Sequence, residues 1–522
     1  MKQYQTFSSN SRDLRESSSQ TSQSSENSYV SFSENGLVNG SLKREHSSLS
    51  LSSLEHVIIR DAGYNGTLFS SVLTICSTIF GSGMLTIPYA MATIGLVNGI
   101  IAIIFFGFMS FTTLTLLGEC AKSVGGRHVS FFSLSSLTYP RLSIIFDLAV
   151  GIKCFGVSIS YLVIVGELLP KVILGFFPNI SKDSVLLTNL FWITLCMLVV
   201  IPLSFQKSLN SLRYASTVSL IAVNYITFLV AYFFFKGMKP VKTIDDGSNP
   251  PSFLALNVTD EISSPSHNQI EYFKWSIDFF RVLPIFVFSY TCHQNLLTVF
   301  NEMKITSRHT DNRFKKTRLT TFISILIAIS VYMTVGITGY LTYGNTTKSN
   351  IISMYPPSNK LVLGGQSLMA LMVCISYALQ CHPARKSFGN IINYIRTSKK
   401  RNGYDDGEES PLLRNNDEND ENLQTQSMEL SNLMHNSITS VLLTISYIIA
   451  CSVKDLGVVL SVVGATGSTT ICFILPGLLY YKIKKNERGD QKSTLIMKLA
   501  LIISGTGVLL MINSLFFIFF KK

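Results

Sequence analysis

The residues best placed to do chemistry are small ones in an unusual setting. Residues 74–91 read "TICSTIFGSGMLTIPYAM", and Gly81, Ser82 and Gly83 lie there inside a segment apolar enough to cross a bilayer. Glycine costs roughly 1 kcal/mol and proline about 3 kcal/mol in a helix interior. Gly81 and Gly83 therefore predict a spanning helix that breaks partway, and Pro88 is expected to end it. Backbone freed at membrane depth is tolerated only where protein covers it or where it lines a cavity. A half-helix starting near Gly83 offers free N–H groups and a positive dipole end, which suit a carboxylate. The carbonyls that end the preceding half-helix suit an ammonium group. Together they could recognise an amino-acid backbone, without any covalent step.

A second stretch has the same character. Residues 274–300 read "KWSIDFFRVLPIFVFSYTCHQNLLTVF", with Pro284 inside and Ser289, Tyr290 and Thr291 directly before Cys292-His293. Counted from the start of each span, the "GSG" and Ser289 both fall about 13 residues in, which is roughly 20 Å of helix. The two spans enter from opposite sides, so both breaks reach one central zone. Either feature alone reads as packing glycines or a proline kink. Matched breaks five helices apart are the arrangement by which many secondary transporters build a site near the midplane. His293 is the proton-coupling candidate, because an unperturbed histidine titrates within the range of an acidified compartment.

Other chemistry finds little support. There is no G-x-x-x-x-G-K-[ST] loop for an ATP-driven pump, no H-E-x-x-H and no nucleophile elbow. "GATGSTT" at 464–470 lacks the lysine of a phosphate loop and reads as small-residue helix packing. The pairs Cys292-His293 and Cys381-His382 lack zinc spacing, and the nine cysteines do not form a disulfide framework. No enzyme, cofactor or metal site is expected.

The elements that must position these residues are membrane helices. The chain has 522 residues, 47% hydrophobic and 14% charged, where a soluble protein carries nearer a quarter charged. Apolar runs of about 20 residues span a bilayer. Eleven are predicted: about 67–88, 95–117, 143–168, 185–204, 214–235, 275–299, 319–343, 361–381, 437–453, 457–481 and 495–519. No apolar run precedes residue 57, so the first span is expected to serve as the targeting signal. The fold class is an all-α polytopic membrane protein.

The net charge of +12 reports topology rather than nucleic-acid binding, because short Lys/Arg-rich loops stay cytosolic. With a cytosolic N-terminus, Lys304 to Arg318 and Lys482 to Lys498 lie in cytosolic loops. The sequons at Asn179, Asn257 and Asn345 then fall in successive loops on the other side, as glycosylation candidates, while those at Asn39 and Asn65 do not. Residues 1–60 are rich in Ser, Asn and Gln, and a second such segment fills 383–436; both are expected to be disordered cytosolic regions. Within the second, "EESPLL" at 408–413 places Glu408 four residues before Leu412-Leu413, a pattern that suits capture by clathrin-adaptor proteins.

Charged groups at membrane depth are functional suspects. Asp147 and Lys153 lie in the third span but point about 120° apart, so they are not expected to pair. Glu167 lies near the far end of that span. Asp278 and Arg281, three apart, can form a same-face ion pair.

"TIFGSGMLTIPYAM" resembles the first span of the amino acid/auxin permease family. Residues 130–170, "SFFSLSSLTYPRLSIIFDLAVGIKCFGVSISYLVIVGELLP", and 283–302, "LPIFVFSYTCHQNLLTVFNE", resemble the fungal vacuolar amino-acid transporters. The likeness covers about 65–390 and, more weakly, 437–520. It implies a five-plus-five inverted repeat of the LeuT-like class plus one extra helix. The repeats would be 61–235 and 275–481, separated by a lumenal loop at 236–274, and 482–522 would hold the final span. It also implies amino-acid transport across the vacuolar or lysosomal membrane, usually coupled to protons. By the same resemblance, Thr78 to Gly83 match the unwound substrate-binding stretch, Phe288 to Thr291 match its counterpart, and His293 matches a family histidine just after that break. Sodium-coupled relatives carry Asn where this chain has Ser77, a departure that favours H+ over Na+. The expectation is a secondary transporter exporting amino acids to the cytosol. A sodium-coupled plasma-membrane importer and a membrane amino-acid sensor are the alternatives.

Overall fold

A computed structural model of the chain describes residues 66–125, 129–181, 183–206, 215–237, 270–304, 312–401, 431–453, 455–488 and 494–520. Their regular structure is helical, with one isolated bridge between Gly66 and Met303. That is what a bilayer demands, since a helix satisfies its own backbone groups where no water can. The first span is two helices, α1 (Leu68–Ile79) and α2 (Ser82–Ile94), bent by 54° at the break. Next come α3 (Leu96–Val124), the short α4 (Phe131–Thr138), α5 (Ser143–Phe176), α6 (Asn189–Ser204) and α7 (Ala215–Phe235). A second broken pair, α8 (Asp278–Ser289) and α9 (His293–Glu302), precedes α10 (Arg313–Tyr343) and α11 (Lys360–Arg401). The described chain ends with α12 (Asn432–Ser452), α13 (Leu456–Val463), α14 (Leu475–Arg488) and α15 (Leu495–Phe519).

Eight of these segments are long and apolar enough to cross a membrane, and α1 with α2 makes a ninth when taken as one bent span. The shorter apolar α6 and the α8–α9 pair stand beside them. The polytopic, all-helical class follows from these lengths and compositions. Among the spans α5 is the most enclosed by protein and α15 the least. The most extensive helix–helix contact is between α5 and α11.

Three features differ from the sequence reading. Pro88 does not end the first span; it lies in the middle of α2. The chain restarts a helix at Ser82, and α2 is buried along almost its whole length, so tertiary packing outweighs the proline penalty. The segment expected to be disordered from 383 is helical through Arg401, because α11 carries Pro383 inside it and continues. Helix resumes at Asn432, five residues earlier than predicted. The third difference is in "GATGSTT". Small-residue packing holds, but the helix also widens there into two π-helical stretches, Gly464–Ser468 and Thr470–Ile474.

Candidate functional site

Each first half-helix is 12 residues long, Leu68–Ile79 in one span and Asp278–Ser289 in the other. The two broken spans run antiparallel. At one end Gly66 N donates to Glu302 O at 3.1 Å, placing the start of α1 beside the end of α9. At the other, residues of α2 and α8 line one cavity of about 270 Å³, among them Tyr89, Thr93, Asp278 and Arg281, with Lys274 and Asn345. The breaks meet between these ends.

The meeting is close. A Cβ on Gly83 would lie 2.6 Å from Ser289 Oγ and 3.2 Å from Phe288 Cδ1. Only the absence of a side chain at Gly83 lets the start of α2 rest on the end of α8. Gly81 is different: its φ of −161° is extended backbone that other residues also adopt. Neither α2 nor α9 has a side-chain hydrogen bond at its N-cap, Gly81 and Cys292 respectively. The sequence reading placed free N–H groups at the half-helix starting near Gly83; α9 starts in the same way, without a side-chain cap.

The carbonyl ends are arranged otherwise. Tyr332 of α10 is fully buried, and its hydroxyl lies 3.0 Å from Ile79 O and 2.7 Å from Ser289 O. These carbonyls end α1 and α8, one in each broken span. The Tyr332 ring stands edge-on to Phe80 at 6.0 Å and to Tyr290 at 5.2 Å, so it is wedged between the two breaks. Sequence reasoning missed Tyr332. The available signal was a tyrosine in an apolar span, with Gly336 and Gly339 following on the same helical face.

Other bonds tie the breaks together and to the surrounding helices. Asn295 Nδ2 of α9 donates to Thr78 Oγ1 of α1 at 2.7 Å. Ser82 Oγ hydrogen-bonds with the Ser160 hydroxyl of α5 at 3.1 Å. Ser110 of α3 donates to Tyr290 O at 3.2 Å, and Cys472 Sγ donates to Thr291 Oγ1 at 3.3 Å. Ser289 Oγ and, from the break, Thr291 Oγ1 donate back to Ile285 O and Val287 O of α8. The Tyr290 hydroxyl is buried without a hydrogen-bond partner. Of the residues expected in the site, Thr78, Gly81, Ser82, Gly83, Phe288, Ser289, Tyr290 and Thr291 all fall at or beside the paired breaks.

The two ion-coupling candidates differ. Ser77 donates to Thr74 O within α1 at 2.9 Å, and among the described residues no bond to another helix involves its side chain. His293 is fully buried at the start of α9, with Nε2 2.9 Å from Thr113 Oγ1 of α3 and Nδ1 without a partner. The two Cys-His pairs gain no further ligands: among the described residues no group of three His, Cys, Asp or Glu could hold a metal. All nine thiols are unbridged.

Beyond the breaks, Arg281 and Asp278 form the expected pair at 3.5 Å. Asp147 accepts from Asn390 Nδ2 at 3.3 Å rather than meeting Lys153. Glu167 accepts from Asn350 Nδ2 at 2.7 Å and pairs with Lys171 at 3.8 Å. Asn179 is exposed in the turn after α5. Asn345 is a poorer glycosylation candidate than its sequon suggested. Its Nδ2, the atom a glycan would use, donates to Glu271 Oε1 at 2.8 Å, while its Oδ1 accepts from Tyr340. Asn257 and the sorting motif Glu408, Leu412 and Leu413 lie outside the described residues.

Comparison with known proteins agrees with this architecture. The profile of the transmembrane amino acid transporter protein family matches residues 64–520. Vacuolar amino acid transporter 5 of Saccharomyces cerevisiae is 36% identical over 475 residues, covering 85% of this chain and 96% of the relative. The protein of the same name from Schizosaccharomyces pombe is 35% identical over 79% of this chain and 84% of its own length. Vacuolar amino acid transporter 6 of S. cerevisiae is 35% identical over 85% and 95%. With a family match that takes in both broken spans and every helix described here, the chain belongs to the transmembrane amino acid transporter family, the amino acid/auxin permeases, and is a transporter rather than an enzyme.

Proposed function

We propose that this protein is a secondary active amino-acid transporter of the vacuolar membrane, coupled to protons and carrying amino acids toward the cytosol. The observation that carries the reading is the contact of Gly83 with Ser289, which sets the start of α2, without a side-chain cap, against the end of α8, where the Tyr332 hydroxyl lies on the carbonyls of Ile79 and Ser289. Helix N-termini favour the substrate carboxylate, and its ammonium would share the carbonyls of Ile79 and Ser289 with the Tyr332 hydroxyl. Amino-acid transport at the vacuole is supported by the family and by relatives that carry that description. The antiparallel pairing of α1 with α9 and α2 with α8 supports an inverted repeat. Counting α6 and the α8–α9 pair as spans gives the eleven helices of a five-plus-five repeat with one extra.

Protons rather than sodium are the coupling ion in this reading. A sodium site needs several oxygens around one point, and among the described residues the Ser77 hydroxyl bonds within its own helix. The cavity between α2 and α8 would be the vestibule by which a lumenal amino acid approaches. The test is purified protein in liposomes offered a panel of amino acids, with and without an imposed pH gradient. The expected result is uptake that follows the gradient and is indifferent to replacing sodium with choline. Binding without flux would overturn transport in favour of a sensor, and a requirement for sodium would overturn proton coupling.

A further inference from the structure

Lys153 is a charged residue that the binding site does not use. It lies ten residues, about 15 Å, into the 34-residue α5, within the apolar length of that span. Its residue surface is only 3% exposed. None of the ion pairs among the described residues includes it. Removing an ammonium from water without a counter-ion costs several kcal/mol, and a basic group kept at such depth is a functional candidate.

Its surroundings tie it to the second break. A Cβ on Gly467 would come within 2.8 Å of Lys153 Cβ, so the lysine stem runs directly over the first π-helical stretch. Single-turn π segments within α-helices recur at functional sites. The titratable groups close enough to influence it are the thiols of Cys154, Cys472 and Cys292. Cys472 bonds Thr291, and Cys292 separates Thr291 from His293.

Several other titratable groups on helices packed against α5 have partners of their own: Tyr377 of α11 bonds Ser446 and Tyr447 of α12 bonds Thr194. On α11, His382 and Arg385 bond each other, and Arg385 also reaches Ser204 O. Lys386 acts on Asp147, which is held by Asn390. Cys381 lies within range of Arg385. Cys196 of α6 faces Cys374 at 3.3 Å, and His435 of α12 bonds Phe205 O. His293 is turned to Thr113. Lysine, unlike arginine, is a cation whose charge a protein can remove.

We infer that Lys153 carries the coupled proton. Its amine takes up a proton while the breaks open toward the acidic compartment and releases the same proton when they open to the other side. The charge change is felt across the π-helical seam by the second break. This inference rests on the proton-coupled reading above and names the carrier within it.

The experiment compares wild type and Lys153→Met in liposomes by two assays, uptake driven by a pH gradient and exchange of labelled for unlabelled amino acid without a gradient. The expected result is that Lys153→Met keeps exchange while its gradient-driven uptake falls to the level seen without a gradient. Gradient-driven uptake retained by Lys153→Met overturns the inference and leaves proton-coupled transport standing. A wild type that shows exchange but no response to the gradient overturns the coupling itself. If Lys153→Met yields no folded protein, Lys153→His decides. A histidine that titrates near 6.5 must move the pH at half-maximal uptake, and an unmoved pH profile overturns the inference.

Discussion

At the scale of single residues, the paired break depends on what Gly83 lacks and on what Tyr332 supplies. Gly83→Leu would drive a branched side chain into Ser289 and Phe288, 2.6 to 3.2 Å from where its Cβ must sit. Uptake should be abolished while expression and delivery to the vacuole persist; near-normal flux in vesicles would count against a site at the break. Tyr332→Phe keeps the ring and removes the hydroxyl between Ile79 O and Ser289 O. Uptake should fall by about fivefold or more, the rate equivalent of roughly 1 kcal/mol, which initial-rate measurements on folded, monodisperse protein can check. Gly83 was legible in the sequence because a glycine inside an apolar span is an anomaly. Tyr332 was not, because tyrosine is common in helices and its role arises only when α10 packs across both breaks. Thr113, Ser110 and Ser160 were hidden for the same reason, each being an ordinary hydroxyl until a distant carbonyl, imidazole or hydroxyl is brought to it.

At the scale of elements, matched spacing made the two breaks legible about 13 residues into each span, while the antiparallel pairing of the half-helices needed coordinates. The cross-connection Asn295 to Thr78 links α9 to α1 and is the polar tie between the half-helices on that side of the breaks. A double-mutant cycle with Thr78→Val and Asn295→Leu should show a coupling energy of about 1 kcal/mol in thermal or denaturant stability. Additive effects of the two substitutions would mean the bond contributes nothing. The π-helical stretches were invisible to pattern reading, since a helix that widens keeps its residues and its apolar character. Pro88 misled for a complementary reason: local propensity marks where a helix is weakest, and burial of α2 decides whether it survives.

At the scale of the whole molecule, the proposed topology can be read by glycosylation. If the loop after α5 faces the lumen, Asn179→Gln should remove an endoglycosidase-sensitive shift in electrophoretic mobility. Asn345→Gln should leave the mobility unchanged, because the Asn345 amide is committed to Glu271. A shift that depends on Asn345 would show that this bond opens during synthesis. The address is tested separately: Leu412→Ala with Leu413→Ala should redistribute the protein from the vacuole, and unchanged localisation by microscopy would reject the dileucine signal.

The perimeter of the molecule has uneven height. α6 has 16 residues, about 24 Å of helix, and turns Leu190, Leu198 and Val199 outward, whereas α15 has 25 residues, about 38 Å, and is the least enclosed span. A bilayer core of about 30 Å cannot match both. Beside α6 the apolar turn Val185–Leu187 extends the outward face or the bilayer thins, and beside α15 the bilayer thickens or the helix tilts. Reconstitution in bilayers of different thickness would then be expected to change transport, and equal rates in thin and thick bilayers would count against this mismatch.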